Sequence, residues 1–249
     1  MYTHSPYKNI PKELLNDYTM NGKIDICDVY CDNSIKNKII WDDKLLDTYI
    51  KRNSESRVLN GKGCSNYGKD SILWILKAIQ KYKIYNKKVG VLGSTTPWIE
   101  SLLTHFNNDI YTIEYNVPII KSDKYKIYTK NYFDFEKETN NYDCIISYSS
   151  IEHSGLGRYG DPLNPNGDFE TMTSIYNNLK PNGLLFLGIP IANDVIAWNA
   201  HREYGPIRYP LLIKKFKELE WIGISKDKLS DNSIKKGYSP YQPVIVLNK

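Results

Sequence analysis

The side chains best suited to chemistry cluster in one stretch, where Glu152 and His153 are adjacent and Arg158, Tyr159, Asp161 and Asp168 follow. Histidine exchanges a proton near neutral pH, so His153, and after it His201, are the candidates for taking a proton from a hydroxyl nucleophile. The alternative role for His153 is to pin the loop by one backbone hydrogen bond. Glu152, Asp161 and Asp168 can hold a hard divalent cation, orient His153 or receive Arg158. Their spacing matches no cation-binding loop, so no metal is expected.

Arginine usage singles out the same region. Of 33 Lys+Arg, only Arg52, Arg57, Arg158, Arg202 and Arg208 are arginine, and the last three fall in or beside residues 149–162 and 199–205. A guanidinium fork grips a carboxylate, a phosphate or vicinal hydroxyls in a way lysine cannot copy. Internal pairing with Asp161 or Glu203 is the alternative. Tyr159, Tyr204 and Trp198 suit stacking on a sugar ring or covering a cofactor, and equally suit a core.

These residues need a scaffold that presents loops at one edge. Short apolar runs at residues 89–92, 110–113, 126–129, 144–148 and 184–189 alternate with helical patterns, and residues 221–225 and 243–247 read as closing strands. The apolar spacing after Asp70 predicts an amphipathic helix with Asp70 as N-cap, and residues 99–106 predict another. The expected architecture is an α/β, Rossmann-like, doubly wound and mostly parallel sheet of seven strands.

Ligands of such sheets bind at the carboxyl ends of the strands. The first exit supplies Gly93, Ser94 and Thr95, without the further glycines that a dinucleotide pyrophosphate needs. Glu114 lies 21 residues after Gly93, near the offset at which a carboxylate grips a ribose, with Tyr115 beside it. A third exit carries Asn131, Tyr132 and Asp134, an apolar wall with polar groups suited to adenine. Ser149 and Ser150 leave the fourth.

Residues 142–153, which read YDCIISYSSIEH, and 179–183, which read LKPNG, resemble the class I S-adenosylmethionine-dependent methyltransferases over roughly residues 89–190. The longer run SSIEHSGLGRYGDP, with residues 93–98 and 199–205, resembles a little-characterised methyltransferase-like family found in bacteria and some large DNA viruses, often beside polysaccharide genes. The resemblance implies S-adenosylmethionine as cofactor, held by Gly93, Ser94, Thr95, Glu114, Tyr115, Asn131, Tyr132, Asp134, Ser149 and Ser150. It further implies O-methyl transfer to a sugar, sugar nucleotide or glycan hydroxyl, with His153, Glu152 and Asp161 in the catalytic set. Arg158, Tyr159, His201, Arg202 and Tyr204 are then the acceptor-facing residues. The first motif departs from the family's pattern by keeping one glycine.

Composition sets the outer bounds. The 249 residues are 41% hydrophobic, enough for one large α/β core, with a net charge of +5. The lysines are dispersed along the chain, so the expected partner is a small-molecule or glycan acceptor, with nucleic acid disfavoured. Four scattered cysteines, no run near the roughly 18 to 20 residues of a membrane span and a first ten residues without leader character predict a cytoplasmic protein. Residues 1–69 read as an extension or cap, able to reach the cofactor with Tyr67 and Gly68, and residues 70–249 as the methyltransferase-like domain. The rival readings are a binding protein of the same fold without catalysis, a nicotinamide-dependent sugar-nucleotide enzyme and a nucleic-acid methyltransferase.

Overall fold

The computed structural model describes residues 8–31, 33 and 38–249. The leader reading of the first ten residues therefore falls largely outside the described residues. In chain order the strands are β1 (Asp25–Val29), β2 (Ile40–Asp42), β3 (Lys88–Leu92), β4 (Asp109–Glu114), β5 (Ile119–Lys121) and β6 (Ile127–Asn131). They continue as β7 (Tyr142–Tyr148), β8 (Leu179–Gly188), β9 (Val195–Asn199), β10 (His201–Glu203), β11 (Lys217–Ile222) and β12 (Val244–Asn248).

Seven of these form the central sheet in the order β11-β12-β8-β7-β3-β4-β6. The pairs β3–β4, β3–β7, β4–β6 and β7–β8 are parallel, whereas β12 runs antiparallel to both β8 and β11. The chain winds outward from β3 through β4 to β6, then returns to pair β7 on the other side of β3. That reversal opens a crevice above the carboxyl ends of β3 and β7, where ligands of doubly wound sheets bind. The inner strands are buried on both faces, which explains their near-continuous apolar sequences in place of alternation.

Helices cover the two faces. The helix Lys69–Lys81 packs Ile72, Ile75, Leu76 and Ile79 onto the sheet. Its N-cap is Gly68, at φ +88°, and not Asp70, which sits inside the first turn. The helix Trp98–Leu103 passes into a 3₁₀ turn, Thr104–Phe106, that ends on left-handed Asn107.

Residues before 70 share the main core. Trp41, Leu46 and Val58 are fully buried in the same core as Ile72, Val89 and Ile146, so packing shows no break at 69/70. The strand β1 pairs in parallel with β9, which pairs antiparallel with β10, and this small side sheet stands at the carboxyl edge of the main one. Short β2 pairs with β5. Among the described residues no helix is long and apolar enough to cross a membrane.

Candidate active site

A cleft enclosing about 670 Å³, open water at its mouth included, lies above the carboxyl ends of β3, β4 and β7. Gly93 and Thr95 come from the β3 exit, Glu114, Tyr115 and Asn116 from the β4 exit, and Ser149, Ser150, His153 and Ser154 from the β7 exit. Tyr159 and Asp161 close one side and Tyr67 the other. Each element delivers its group because a parallel strand ends at the same edge as its neighbours.

Gly93 has φ +84°, and a Cβ there would stand 2.0 Å from the Ser150 hydroxyl. The glycine therefore serves the turn and the close approach of the β7 exit at once. Behind it, Ser94 is buried and donates to the Thr96 carbonyl and to Glu100. Glu100 also accepts from Thr112, and burial pushes its carboxyl up to about 7. Ser94 thus braces the turn and does not reach the cleft, a correction to its place in the cofactor set.

Glu114 is the least satisfied carboxylate in the cleft. Its one hydrogen bond is accepted from the Tyr115 amide, at 3.2 Å, and burial raises its pKa to about 7. Tyr115 lies against Tyr132 with ring centroids 4.4 Å apart, and Phe133 meets it edge-on at 5.4 Å. Tyr132 is itself buried and donates to Thr171, so it supports Tyr115 from behind. Asn131 accepts from the Phe133 amide as a helix cap, and Asp134 points to solvent in a pair with Lys137. Asn131 and Asp134 are accordingly withdrawn as cleft-lining groups. Asn116 takes a place that the sequence reading passed over, although its position just past a strand end was a usable signal.

Across the cleft, Nδ1 of His153 donates to the Ala200 carbonyl at 2.6 Å, which leaves the Nε2 lone pair free. Nε2 lies 3.8 Å from Glu152 Oε1. Burial, helped by the Arg158 charge, pushes the His153 pKa down to about 3, so the ring is neutral at physiological pH. Glu152 accepts from Ser149 at 2.7 Å, its second oxygen has no partner among the described residues, and burial raises it to about 7. The pin foreseen as an alternative for His153 is present, and it fixes the tautomer while the ring still faces the cleft.

Other candidates have structural duties. Asp161 accepts from the amides of Gly155, Gly157 and Tyr159, shaping the loop, and receives neither His153 nor Arg158. Arg202 and Tyr204 are fully buried: Arg202 donates to the Ser154 carbonyl at 2.6 Å and Tyr204 to Asp168 at 3.0 Å. Neither can touch an acceptor, which corrects the acceptor-facing set. Arg208 makes a two-pronged bond to Asp168 at 2.8 and 2.6 Å, so the internal pairing of arginine is real but falls on Asp168. Among the described residues no group of three or more His, Cys, Asp or Glu converges as a metal site.

Residues 86–237 match the model of a family described as Caenorhabditis protein of unknown function, DUF268. The chain belongs to that family. No curated protein sequence matches this DUF268 chain. Among solved structures it resembles the 1,6-didemethyltoxoflavin N1-methyltransferase of Burkholderia thailandensis, solved with 1,6-didemethyltoxoflavin and S-adenosylhomocysteine. The TM-score is 0.50 and the identity 11%, over 78% of this chain and 88% of that one. Another match is the N-methyltransferase NodS of Bradyrhizobium japonicum WM9 in complex with S-adenosylhomocysteine, at TM-score 0.48 and 10% identity, over 83% and 97% of the two chains. The first likeness shows that this DUF268 chain has the class I methyltransferase fold.

Proposed function

We propose that this protein is an S-adenosylmethionine-dependent O-methyltransferase acting on a hydroxyl of a sugar, sugar nucleotide or glycan. The observation that carries the cofactor is Glu114, a carboxylate at the carboxyl end of β4 that faces the cleft with a single amide partner. Two adjacent ribose hydroxyls would supply the donors it lacks, beside an aromatic wall at Tyr115 for a flat base. Thr95, Ser149 and Tyr67 line the remainder with hydroxyls suited to an amino-acid tail. The residues present therefore fit the group.

When bound, the cofactor supplies a methyl already activated by its sulfonium. The chain has only to align a nucleophile, exclude water and accept one proton. His153 presents Nε2 as a fixed acceptor for the hydroxyl proton, its orientation set by Ala200. Glu152 stands behind it, 3.8 Å from Nε2, with its carboxyl raised to about 7 by burial. Tyr67 and Tyr159 flank the cleft as faces against which a sugar ring can lie. Carbohydrate as acceptor is supported by the family resemblance of residues 149–162 and by these rings.

Calorimetric titration of the full chain with S-adenosylhomocysteine tests the reading. Binding that Glu114→Gln weakens is the expected result. No binding by the wild-type chain would sink it.

A further inference from the structure

We infer that the acceptor is anionic and that Arg158 is the residue that binds its carboxylate or phosphate, an inference that rests on the proposed methyl transfer for the meaning of "acceptor". Of the five arginines, Arg202 and Arg208 share Asp168, Arg57 donates to main-chain carbonyls on the exposed surface, and Arg52 is exposed at the end of the helix Asp43–Arg52. Arg158 differs from all of these. It is half-buried, and among the described residues no carboxylate comes within ion-pair distance of it.

Its partners are neutral and geometrically fixed. Nε donates to Asn33 Oδ1 at 2.9 Å, Nη1 donates to the Ala200 carbonyl at 3.0 Å, and the guanidinium carbon lies 5.1 Å from the Tyr159 ring centre. The Ala200 carbonyl is the same atom that orients His153, so one oxygen couples the arginine to the imidazole. This arrangement orders the fork without cancelling its charge, and leaves Nη2 with no partner among the described residues. A preorganised guanidinium of that kind takes planar oxyanions in a way lysine does not.

Charge balance points the same way. The Arg158 charge is felt by Tyr67, Glu152, His153, Tyr159 and His201, of which Tyr67, His153 and Tyr159 line the cleft. His153 and His201 are both held neutral by burial and by this charge, and burial holds Glu152 towards its neutral form. A sulfonium donor would add a second positive charge to the cleft. An acceptor carrying an oxyanion answers both, whereas a neutral sugar supplies no counter-charge to a guanidinium that has none among the described residues.

The test uses the full chain and three probes: glucose, glucose 1-phosphate and glucuronate. Affinity for S-adenosylhomocysteine is measured first. Its absence overturns the methyl-transfer reading alone, because the anion preference is then read on the free chain. With the homocysteine product present, at least one anionic sugar should bind about tenfold or more tighter than glucose, the scale of one charge-assisted contact. Whether the phosphate or the carboxylate arm responds tells which oxyanion is meant. Arg158→Gln should erase the preference and Arg158→Lys should recover only part of it, both with unchanged affinity for S-adenosylhomocysteine and an unchanged melting temperature. Equal binding of all three probes, no binding of any, or a preference that survives in Arg158→Gln would overturn the inference.

Discussion

Two groups of buried ionisable residues lie close together in this protein and are built on opposite principles. Beneath the loop 155–165, Asp168 is saturated: Arg208 grips both oxygens, Tyr204 donates to one, and Arg202 lies at 3.8 Å. Its pKa is lowered because the two arginines outweigh the cost of burial. At the cleft, Glu114 in its wall and Glu152 buried behind His153 have few donors, and burial raises both to about 7. Saturation makes a fixed support, and unfilled valence makes a place for a ligand. Burial alone does not separate the two groups; the count of donors does.

The largest expected effect belongs to the saturated group. Asp168→Asn leaves two buried guanidiniums facing a neutral amide, and breaking such a pair costs about 3–5 kcal/mol. The urea midpoint should fall accordingly. If Glu114→Gln or Glu152→Gln destabilises the chain as much, the contrast between the two groups is wrong.

Glu114→Gln should do the reverse, losing affinity while keeping stability. A hydrogen bond to a charged group contributes about 1.5–3 kcal/mol, so S-adenosylhomocysteine binding should weaken roughly 10- to 100-fold. In the folded state Glu114 keeps its proton up to about 7, whereas the unfolded chain releases it near the ordinary carboxylate value of 4.5. The folded state thus holds more protons between those values, and stability drops as pH rises through that window. Glutamine removes that loss, so the variant should melt no lower than wild type at pH 8. A lower melting temperature would show that Glu114 is a structural residue after all.

Tyr67 is the smaller case. It is braced by Trp98 and Tyr148, with ring centroids at 5.9 and 5.5 Å, and brings the N-terminal segment to the cleft. Tyr67→Ala should weaken S-adenosylhomocysteine binding several-fold, on the scale of one aromatic contact, and calorimetry would read it. Unchanged affinity would separate that segment from the cofactor.

The parallel strands of the sheet and their order of exits were legible because buried parallel strands are written as apolar runs closed by polar or glycine residues. Glu114, Ser149 and His153 followed from their places at those ends. Arg202, Tyr204, Asn131 and Asp134 did not follow, because a strand end tells which edge a residue occupies and not which way its side chain turns. Asp168 was invisible as a hub for the same reason: its partners lie some 35 to 40 positions away in sequence. Side strand β1 was hidden by its mixed composition and by a partner, β9, far along the chain.

The finest test concerns a group that should show no change at all. His153 donates through Nδ1 to Ala200 and is held near 3 by burial and by Arg158, so nitrogen-15 NMR of its ring should report the neutral Nδ1–H tautomer unchanged from pH 8 to pH 5. The unfolded chain takes up that proton near 6.5, so the folded state binds fewer protons between about 3 and 6.5, and this residue's share of stability is lost as pH falls through that range. Glu100, Glu114 and Glu152 act in the opposite direction over pH 4.5 to 7, so between 4.5 and 6.5 they outweigh His153 and their sum makes stability fall as pH rises. An imidazolium signal from His153 above pH 5 would mean that burial, with the Arg158 charge beside it, does not hold the ring neutral.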